Sequence, residues 1–400
     1  MNPTVLIYRS ELLPPSETFV AAQAHALRRY SPRFAGLRLA RAGLRLDDCE
    51  TVLLTRQNTF CDKLRRHFFL ATGIAPHFVR ALERRHPVLL HAHFAVDAAA
   101  ALRFQKKLNI PLIVTLHGYD ATMTDQALRR DAPGRVYLRR KTELRIRARL
   151  FICVSDHIRR RALERGVPEE KLRTLPIGVD LSFFTPDPLR SRARDPIVLF
   201  VGRLVEKKGC THLIRAMSLV QQHHPTAQLL IIGDGPLLDP LRLQARAMLR
   251  GCTFLGFLPP SVVRDLMYRA SLLAAPSIVA ASGDSEGLPI TLCEAQAIGL
   301  PIAAFRGPGV SEAVVEDETA LLVPSGDESA LARAISALLE NSVLAARLAS
   351  NGRRRAEAHF SLEKQTARLE DLYDEATDAR FTLPAQESDL EELCAQAQSN

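Results

Sequence analysis

The chain lacks the features that mark membrane-spanning, disulfide-stabilised and dinucleotide-dependent proteins. Its 400 residues contain no run of about 18 apolar residues, which excludes a membrane-spanning helix. The seven cysteines are scattered without a C-x-x-C pair, which is typical of reduced thiols in a cytosol-like compartment. Gly233-Asp234-Gly235 follows an apolar run, but Leu238 occupies the third glycine position of G-x-G-x-x-G. A dinucleotide oxidoreductase is therefore disfavoured.

Two further absences narrow the chemistry and the location. No serine nucleophile elbow is present, and Asp284-Ser285-Glu286 resembles a metal-binding triplet only superficially. Arg9 ends the first apolar run, which is too short for a signal peptide and predicts a first strand. We therefore expect a cytoplasmic protein, with peripheral attachment at the inner face of the cell membrane left open.

The charge of the chain is strongly positive. A formal net charge of +9 favours nucleic acid, an anionic membrane surface or a phosphorylated substrate as partner. Arginines crowd residues 129–173, where sparse aromatic residues argue against single-stranded nucleic acid. The basic segment is interpreted either as a solvated helical face or as a surface for anionic lipid head groups, and no nucleic-acid partner is expected.

Short apolar runs alternate with helical patterns along most of the chain. This alternation predicts parallel sheets with helices on both faces, in two Rossmann-like α/β halves whose ligand lies in a cleft between them. The predicted strands are Val5–Tyr8, Val88–Ala92, Leu112–Leu116, Leu150–Val154, Ile197–Val201, Gln228–Ile232, Leu272–Ala275, Ile302–Phe305 and Ala320–Val323. The predicted boundaries are 1–180 for the first domain, 181–196 for a proline-rich linker, 197–360 for the second domain, 361–380 for a helix that closes the second half, and 381–400 for a weakly ordered tail.

Two glutamates eight positions apart, Glu286 and Glu294, flank a predicted helix start. Pro289 has a fixed φ that suits the first turn of a helix, and Gly287 permits a tight turn before it. We expect Glu286 in the loop and Glu294 on the helix, about 7–8 Å further along. Free N–H groups at such a helix start favour an anion such as a phosphate. The arrangement fits a ligand that joins a polyol, a diphosphate and a ribose.

Two cations follow the first strand of the second half. Arg203 and Lys208 project from its carboxyl edge, where a planar guanidinium and a point charge can neutralise a diphosphate. The alternative is a solvated basic loop. The glutamate pair downstream favours the functional interpretation.

Histidines in the first half lie at predicted strand ends. His117 follows the strand Leu112–Leu116 and can hydrogen-bond a sugar hydroxyl or stabilise positive charge, with a structural histidine as the alternative. Asp120 is expected to cap the segment that follows. His91 and His93 alternate with Ala92 and can share a face, but no third metal ligand stands at suitable spacing, so a structural or acceptor-lining role is predicted.

The first helix is expected to begin at Glu17-Thr18-Phe19 with Ser16 as its N-cap. The N-terminus of this helix is predicted to meet the acceptor or a phosphate.

Together these motifs resemble the bacterial family 4 glycosyltransferases of the retaining, two-Rossmann-domain (GT-B) type. The resemblance covers about residues 1–375 and rests on Glu286, Glu294, Arg203 and Lys208, with His117-Gly118-Tyr119-Asp120, Gly178-Val179-Asp180 and Gly233-Asp234-Gly235-Pro236. Ser16-Glu17-Thr18-Phe19 and His91-Ala92-His93-Phe94 resemble the branch associated with exopolysaccharide or lipopolysaccharide assembly. One departure is the segment 12–16, which stands where many members carry a Gly-Gly loop.

The resemblance implies a role for each motif. It makes the first domain the acceptor domain and the second the donor domain, with no metal or cofactor, since the nucleotide sugar is a substrate. The implied donor contacts are Arg203 and Lys208 to the diphosphate, Glu294 to the ribose, Glu286 with the amides of Gly287, Leu288 and Ile290 to the sugar, and the backbone of Leu258 to the base. The implied catalytic set is His117, Glu286, Arg203 and Lys208. Because of the departure at 12–16, the resemblance implies no acceptor contact for that loop, and Ser16, Thr18 and His93 are predicted as acceptor residues from their sequence positions alone.

The function implied is transfer of a hexose from a UDP- or GDP-linked sugar to a lipid-linked or oligosaccharide acceptor. Two alternatives stay open at this point. One is an epimerase or phosphorylase of the same architecture, which would act on the donor without a separate acceptor. The other is a non-catalytic scaffold that binds sugar nucleotides or anionic membranes.

Overall fold

The computed structural model describes residues 2–40, 50–187 and 196–378. These residues form two compact α/β units. Unit 1 extends to Gly178 and includes the segment from Leu362 onward, and unit 2 comprises Val179–Ser361. The tail predicted over 381–400 and residues 188–195 of the predicted linker lie outside the described residues.

Unit 1 is built on a seven-stranded parallel sheet. Its strands are β1 (Thr4–Leu12), β2 (Ser31–Leu39), β3 (Thr51–Leu53), β4 (Pro87–His93), β5 (Leu112–Leu116), β6 (Leu150–Cys153) and β7 (Leu172–Thr174). Its first eight helices are α1 (Thr18–His25), α2 (Phe60–Thr72), α3 (Pro76–Glu83), α4 (Ala95–Leu108), α5 (Tyr119–Thr122), α6 (Asp125–Leu128), α7 (Ala132–Arg147) and α8 (Asp156–Glu164), followed by a 3-10 turn at Glu169–Lys171. The strand order is β3-β2-β1-β4-β5-β6-β7. Strands β2 and β3 are added on one side of β1 and strands β4 to β7 on the other, so the strand order reverses between β1 and β4.

Unit 2 repeats this plan with six parallel strands. They are β8 (Ile197–Val201), β9 (Gln228–Ile232), β10 (Cys252–Gly256), β11 (Leu272–Ala275), β12 (Ile302–Phe305) and β13 (Leu321–Val323). The helices are α9 (Cys210–His223), α10 (Leu238–Met248), α11 (Pro260–Arg269), α12 (Ile290–Ile298), α13 (Val310–Ala313), α14 (Glu328–Glu340) and α15 (Ser342–His359), with a 3-10 turn at Glu206–Lys208. The order β10-β9-β8-β11-β12-β13 reverses between β8 and β11.

The central strands are largely apolar because helices cover both faces of each sheet. Every residue of β5 and β12 is buried. Each unit has its own core, in which side chains of α9 and α14 pack on the sheet of unit 2, while α1 packs on that of unit 1. The nine predicted strands are confirmed within a few residues at their ends.

Four strands were missed by the sequence analysis. Three of them, β3, β7 and β10, lie at sheet edges, are three to five residues long and are only partly buried. The fourth, β2, is interrupted by Pro32, Arg33 and Arg38. Such strands carry no continuous apolar run, because only centrally placed strands are buried on both faces.

The last described helix, α16 (Leu362–Thr377), corrects one expectation. It was predicted to close the second half, but it belongs to unit 1, where Leu369 and Tyr373 enter the core. The Arg29 guanidinium pairs with Asp371 and Asp374 of this helix at 2.6 and 2.7 Å. An amphipathic pattern indicates which face of a helix is apolar but not which sheet that face will cover.

Candidate functional site

Unit 2 brings its predicted site residues to the carboxyl edge of its sheet. The loop after β8 and the loop after β11 leave the sheet at the point where strand order reverses, and such a point opens a crevice for ligands. Lys208 ends the 3-10 turn after β8, and Glu286 lies in the long segment between β11 and α12. The two side chains meet there, with Nζ of Lys208 2.6 Å from Oε1 of Glu286.

Glu286 is a buried, ionised carboxylate. Its residue is 7% exposed, and the Ser277 hydroxyl donates to the same oxygen at 3.0 Å. Burial alone would raise the pKa of Glu286. The charges of Lys208 and Lys207 and the hydrogen bonds from Lys208 and Ser277 outweigh burial, so the pKa lies below its usual value.

Two glycines allow the loops of the site to approach so closely. Gly209 has φ 64°, and a Cβ there would lie 1.8 Å from the carbonyl oxygen of Pro276. Gly309, with φ 66°, would place a Cβ 2.5 Å from the carbonyl oxygens of both Glu286 and Gly287. Any larger residue at either position would push the loops apart.

A second cation of the same turn fixes the loop that precedes Glu286. Lys207 Nζ donates to Asp284 Oδ1 at 2.9 Å and to the Ser285 carbonyl at 3.3 Å. Glu206 accepts a hydrogen bond from the Ala281 amide at 2.9 Å. These contacts were not predicted from the sequence, because 77 residues separate Lys207 from Asp284 and no local pattern joins them.

Arg203 differs from its lysine neighbours because it is exposed, and no described residue pairs with its guanidinium. Next to Glu286 lies a small pocket lined by Ser277, Ser285, Arg306, Gly307 and Ser325, where the loops after β11, β12 and β13 meet. Arg306 in this lining is paired with Glu316, so its charge is already balanced. Arg203, in contrast, carries a positive charge that no described residue balances at this edge.

The second glutamate of the motif is in the opposite protonation state. Glu294 lies on α12, as expected, and has no described hydrogen-bond partner. Burial raises its pKa to about 8, so it is mostly protonated at neutral pH. One glutamate thus serves as an acceptor only, and the other can both donate and accept.

The other predicted donor residues also lie at this edge. Gly287 and Leu288 come directly before α12, which begins at Ile290 with Pro289 as its N-cap. Leu258 follows β10, the edge strand, and precedes α11. Their contacts with a donor stay predictions.

In unit 1 the predicted histidines form a row in which His91 and His93 are buried and His117 is half-buried. His93 Nδ1 lies 2.9 Å from His117 Nε2, and the rings of His91 and His93 are tilted by 32° with their centroids 4.3 Å apart. Burial lowers the pKa of all three histidines, that of His91 to about 3. His117 Nδ1 is buried without a described partner. The row is therefore neutral, and one polar nitrogen at its end is unused.

His91 is held from both sides. Its Nδ1 lies 2.7 Å from the Tyr373 hydroxyl and its Nε2 lies 2.7 Å from the Thr115 hydroxyl. Both ring nitrogens are satisfied, which is typical of a structural histidine. In the described ranges no group of three or more His, Cys, Asp or Glu side chains is arranged to hold a metal ion.

The strand reversal of unit 1 holds an ionic cluster that the sequence analysis missed. Arg9 on β1 pairs with Glu17 and with Asp97 of α4, and its guanidinium lies 4.2 Å from the ring centroid of Phe94. All three charged residues are buried. Phe94 itself has φ 69°, an uncommon value for a residue with a side chain.

Two capping predictions were wrong. The N-cap of α1 is Glu17 rather than Ser16, and Ser16 is exposed, because the Glu17 carboxylate turns to Arg9. Thr18 is the first residue of α1. Asp120 does not cap the segment after it but accepts hydrogen bonds from the amides of His117, Gly118 and Ala95, the last being the first residue of α4.

Comparisons with known proteins agree with this geometry. Residues 184–355 match the family model of glycosyl transferases group 1, and residues 18–183 match that of glycosyltransferase family 4. WcaL of Escherichia coli K12 is 31% identical over 250 residues, which are 62% of this chain and 60% of WcaL, so the match spans less than two thirds of that relative. A GDP-mannose-dependent alpha-(1-6)-phosphatidylinositol monomannoside mannosyltransferase of Mycolicibacterium smegmatis is 28% identical over 91% of this chain and 94% of its own length.

Solved structures share the fold at low identity. HepE of Anabaena, crystallised with UDP and glucose, superposes with a TM-score of 0.73 at 20% identity, covering 94% of this chain and 100% of HepE. Sucrose-phosphate synthase of Thermosynechococcus elongatus gives 0.73 at 24% identity, covering 94% and 99%. The expected fold of two parallel α/β domains is the GT-B fold of these neighbours. By sequence, motif and fold, the chain belongs to the bacterial family 4 glycosyltransferases.

Proposed function

We propose that this protein transfers a hexose from a UDP- or GDP-linked sugar to a lipid-linked or oligosaccharide acceptor in the biosynthesis of a cell-surface polysaccharide or glycolipid. The observation that carries the proposal is the ion pair of Lys208 and Glu286 at the strand reversal of unit 2, with Arg203 unpaired beside it. A cation at this edge can bind a phosphate, and an ionised carboxylate beside it can accept hydrogen bonds from hydroxyl groups. The pair therefore suits a ligand with a phosphate at one end and a sugar at the other.

The charge of the donor diphosphate finds its complement in unit 2. Arg203 and Lys208 face the developing negative charge of the leaving group, and the N-terminus of α12 adds the partial positive charge of its free N–H groups. Such fixed groups act most strongly when the charge grows during bond cleavage. This arrangement needs no metal ion, and we expect transfer to persist when divalent cations are chelated.

The two glutamates are proposed to bind different parts of the donor, Glu286 the sugar and Glu294 the ribose. Ionised Glu286 would accept hydrogen bonds from sugar hydroxyls, while Lys208 and Ser277 hold its carboxylate in place. Protonated Glu294, one helix turn or more along α12, would both donate to and accept from the ribose hydroxyls. The amides of Gly287, Leu288 and Ile290 would complete the contact with the sugar.

We propose retention of configuration at the anomeric carbon. The acceptor hydroxyl attacks from the side on which the diphosphate leaves, so that the new carbon–oxygen bond forms on the face where the old one breaks. The hydroxyl proton passes to a phosphate oxygen of the leaving group. His117, whose Nδ1 is unpartnered, would hydrogen-bond the transferred sugar, and Ser16, Thr18 and His93 stay candidates for the acceptor side.

Two variants and a matched control test the donor site. Arg203→Ala and Lys208→Ala should each lower donor turnover by about 100-fold or more, since removing one such charge-stabilising group typically costs that much. Arg246→Ala removes an equally exposed arginine from α10 and should leave turnover unchanged. Near-normal transfer by both Arg203→Ala and Lys208→Ala would rule out the diphosphate assignment.

A thermal-shift screen against nucleoside diphosphates and their sugars identifies the base. A tight ligand stabilises the folded protein by mass action, so UDP and GDP are distinguished directly. Names of relatives and structural neighbours include both GDP-mannose and UDP. Incubation with the donor alone separates transfer from epimerisation, because only an epimerase interconverts the sugars without an acceptor.

A further inference from the structure

The outward face of helix α2 in unit 1 carries large apolar side chains. Phe60, Leu64 and Phe68 are 74%, 54% and 53% exposed, and Ile74 just after the helix is 53% exposed. The first three follow i, i+4, i+8 spacing, so they form one stripe along the helix. The opposite face of α2 is anchored, since Asp62 and Phe69 are buried and Phe69 packs against Phe78 and Phe104.

Cations flank this stripe on both sides. Lys63 and Arg65 are exposed, and their positions at 100° per residue place one on each side of the stripe. No described carboxylate pairs with either side chain. From Leu54 to Arg85 the sequence holds seven lysines and arginines against two acids, and one of these acids, Asp62, is buried.

The arginine-rich segment 129–173, for which a solvated helical face and a surface for lipid head groups were both left open, differs from the face of α2. Many of its cations are already paired within the fold. The pairs are Arg140 with Glu143, Lys141 with Asp125, Arg159 with Glu169, and Arg161 with Glu164. No residue there is among the exposed large apolar side chains of the described ranges. This segment therefore offers less free charge and no apolar stripe.

We propose that the outward face of α2, formed by Phe60, Lys63, Leu64, Arg65 and Phe68, docks on an anionic phospholipid bilayer. A helix whose apolar stripe is bordered by cations lies in the plane of a membrane interface, with the rings below the head groups and the charges among them. The net charge of +9 attracts the whole protein to such a surface. Charge complementarity thus selects an anionic bilayer over a neutral partner.

The position of α2 gives this docking a consequence for the proposed function, on which this step rests. The helix follows β3 directly, so its first turn lies at the carboxyl edge of the unit 1 sheet. Arg66 Nη1 donates to Thr55 Oγ1 at 2.8 Å, and Thr55 in turn donates to the Leu37 carbonyl of β2, which ties α2 to that edge. The same edge carries His93 and His117. A lipid-linked acceptor in the bilayer would therefore be near the carboxyl edge of unit 1, which corresponds to the predicted acceptor domain.

Vesicle sedimentation of the full chain tests the docking without any donor or acceptor. We expect binding to phosphatidylcholine vesicles that contain phosphatidylglycerol, and at least about tenfold weaker binding to phosphatidylcholine alone. Phe60→Ser with Phe68→Ser should weaken binding to the anionic vesicles about tenfold or more, because two buried rings are lost. Lys63→Gln with Arg65→Gln should lower it about tenfold and reduce its salt dependence.

Matched controls come from other surfaces of the chain. Val343→Ser removes a 78% exposed apolar side chain from α15, and Arg139→Gln with Arg160→Gln removes two exposed cations from the arginine-rich segment. Both controls should bind like the unaltered protein. Equal binding to both kinds of vesicle, undiminished binding by the α2 variants, or a loss confined to the Arg139 and Arg160 variant would overturn the proposal.

Two further results distinguish membrane docking from self-association of the chain and from the proposed transfer function. Concentration-dependent self-association that the Phe60 and Phe68 changes abolish, without vesicle binding, would make a second copy the occupant and overturn the membrane proposal. Failure of vesicle binding while Arg203→Ala still abolishes transfer would leave the proposed function intact. Transfer to a water-soluble acceptor by the α2 variants should be unchanged, because none of these residues belongs to the donor site.

Discussion

The two sheets treat the charges at their strand reversals in opposite ways. In unit 1 the guanidinium of Arg9 is enclosed by Glu17, Asp97 and the ring of Phe94, so its charge is neutralised within the protein. In unit 2 Lys208 is balanced by Glu286, whereas Arg203 is exposed and has no described partner. Of the two strand reversals, only that of unit 2 therefore has a described cation that no side chain neutralises. Similar topology provides an edge in both units, but the pairing of charges differs, and this difference is the basis for placing the proposed diphosphate site in unit 2.

The largest expected effect concerns the enclosed cluster. Asp97→Ala should destabilise unit 1 by about 3–5 kcal/mol, because it leaves part of the charge of Arg9 buried and unbalanced. Asp284→Ala, which removes the half-buried partner of Lys207 in unit 2, should cost only about 1 kcal/mol or less. Hydrogen exchange of the amides of β1 and β8 reports the two losses separately. Equal losses would contradict the contrast between an enclosed and an open edge.

The next effect concerns catalysis in unit 2. Glu286→Gln keeps the shape of the side chain but removes the charge that accepts from Lys208 and Ser277. We expect kcat to fall about 100-fold. Glu316→Gln, the partner of exposed Arg306, provides the control and should keep kcat within about twofold, as surface pairs contribute little. If the two variants behaved alike, Glu286 would have no special role in transfer.

Glu294 gives a smaller, pH-dependent effect. Its pKa is about 8 in the folded protein against an ordinary value of 4.5, so between these pH values the folded state holds a proton that the unfolded chain has released. The free energy of unfolding contributed by this group is therefore full below about pH 4.5 and is lost as pH rises through 8. Glu294→Gln should flatten that part of the stability profile. An unchanged slope would mean that Glu294 titrates normally.

Most of unit 2's site could be read from the sequence because its residues lie in short motifs. Arg203 and Lys208 are five positions apart, and Glu286 and Glu294 flank a single helix start, so local rules place all four at one edge. The cluster of Arg9 with Asp97 could not be read in this way. It joins residues 88 positions apart, and a lone arginine on an apolar strand carries no signal of its partner.

The same difference between local patterns and contacts of distant residues decides which parts of the fold were predicted. Central strands such as β5 and β12 were found because burial on both faces demands an unbroken apolar run, whereas the edge strands β3, β7 and β10 need none. The placement of α16 against unit 1 depends on Tyr373 meeting His91 and on Arg29 meeting the acids of the helix. These contacts span hundreds of positions, and periodicity does not encode them.

The smallest expected effect concerns Lys207 and tests whether this lysine positions the loop before Glu286 at the edge of unit 2. Lys207→Met should raise KM for the donor about three-fold and leave kcat nearly unchanged. The reason is that Lys207 holds the loop before Glu286 through Asp284 and the Ser285 carbonyl, and losing an ion pair at the edge of the protein costs about 0.2–1 kcal/mol. Lys171→Met in unit 1, which frees the carbonyls of Arg145 and Ile146, should leave both constants unaltered. A large loss of kcat in Lys207→Met would mean instead that this lysine, and not only Lys208, faces the diphosphate.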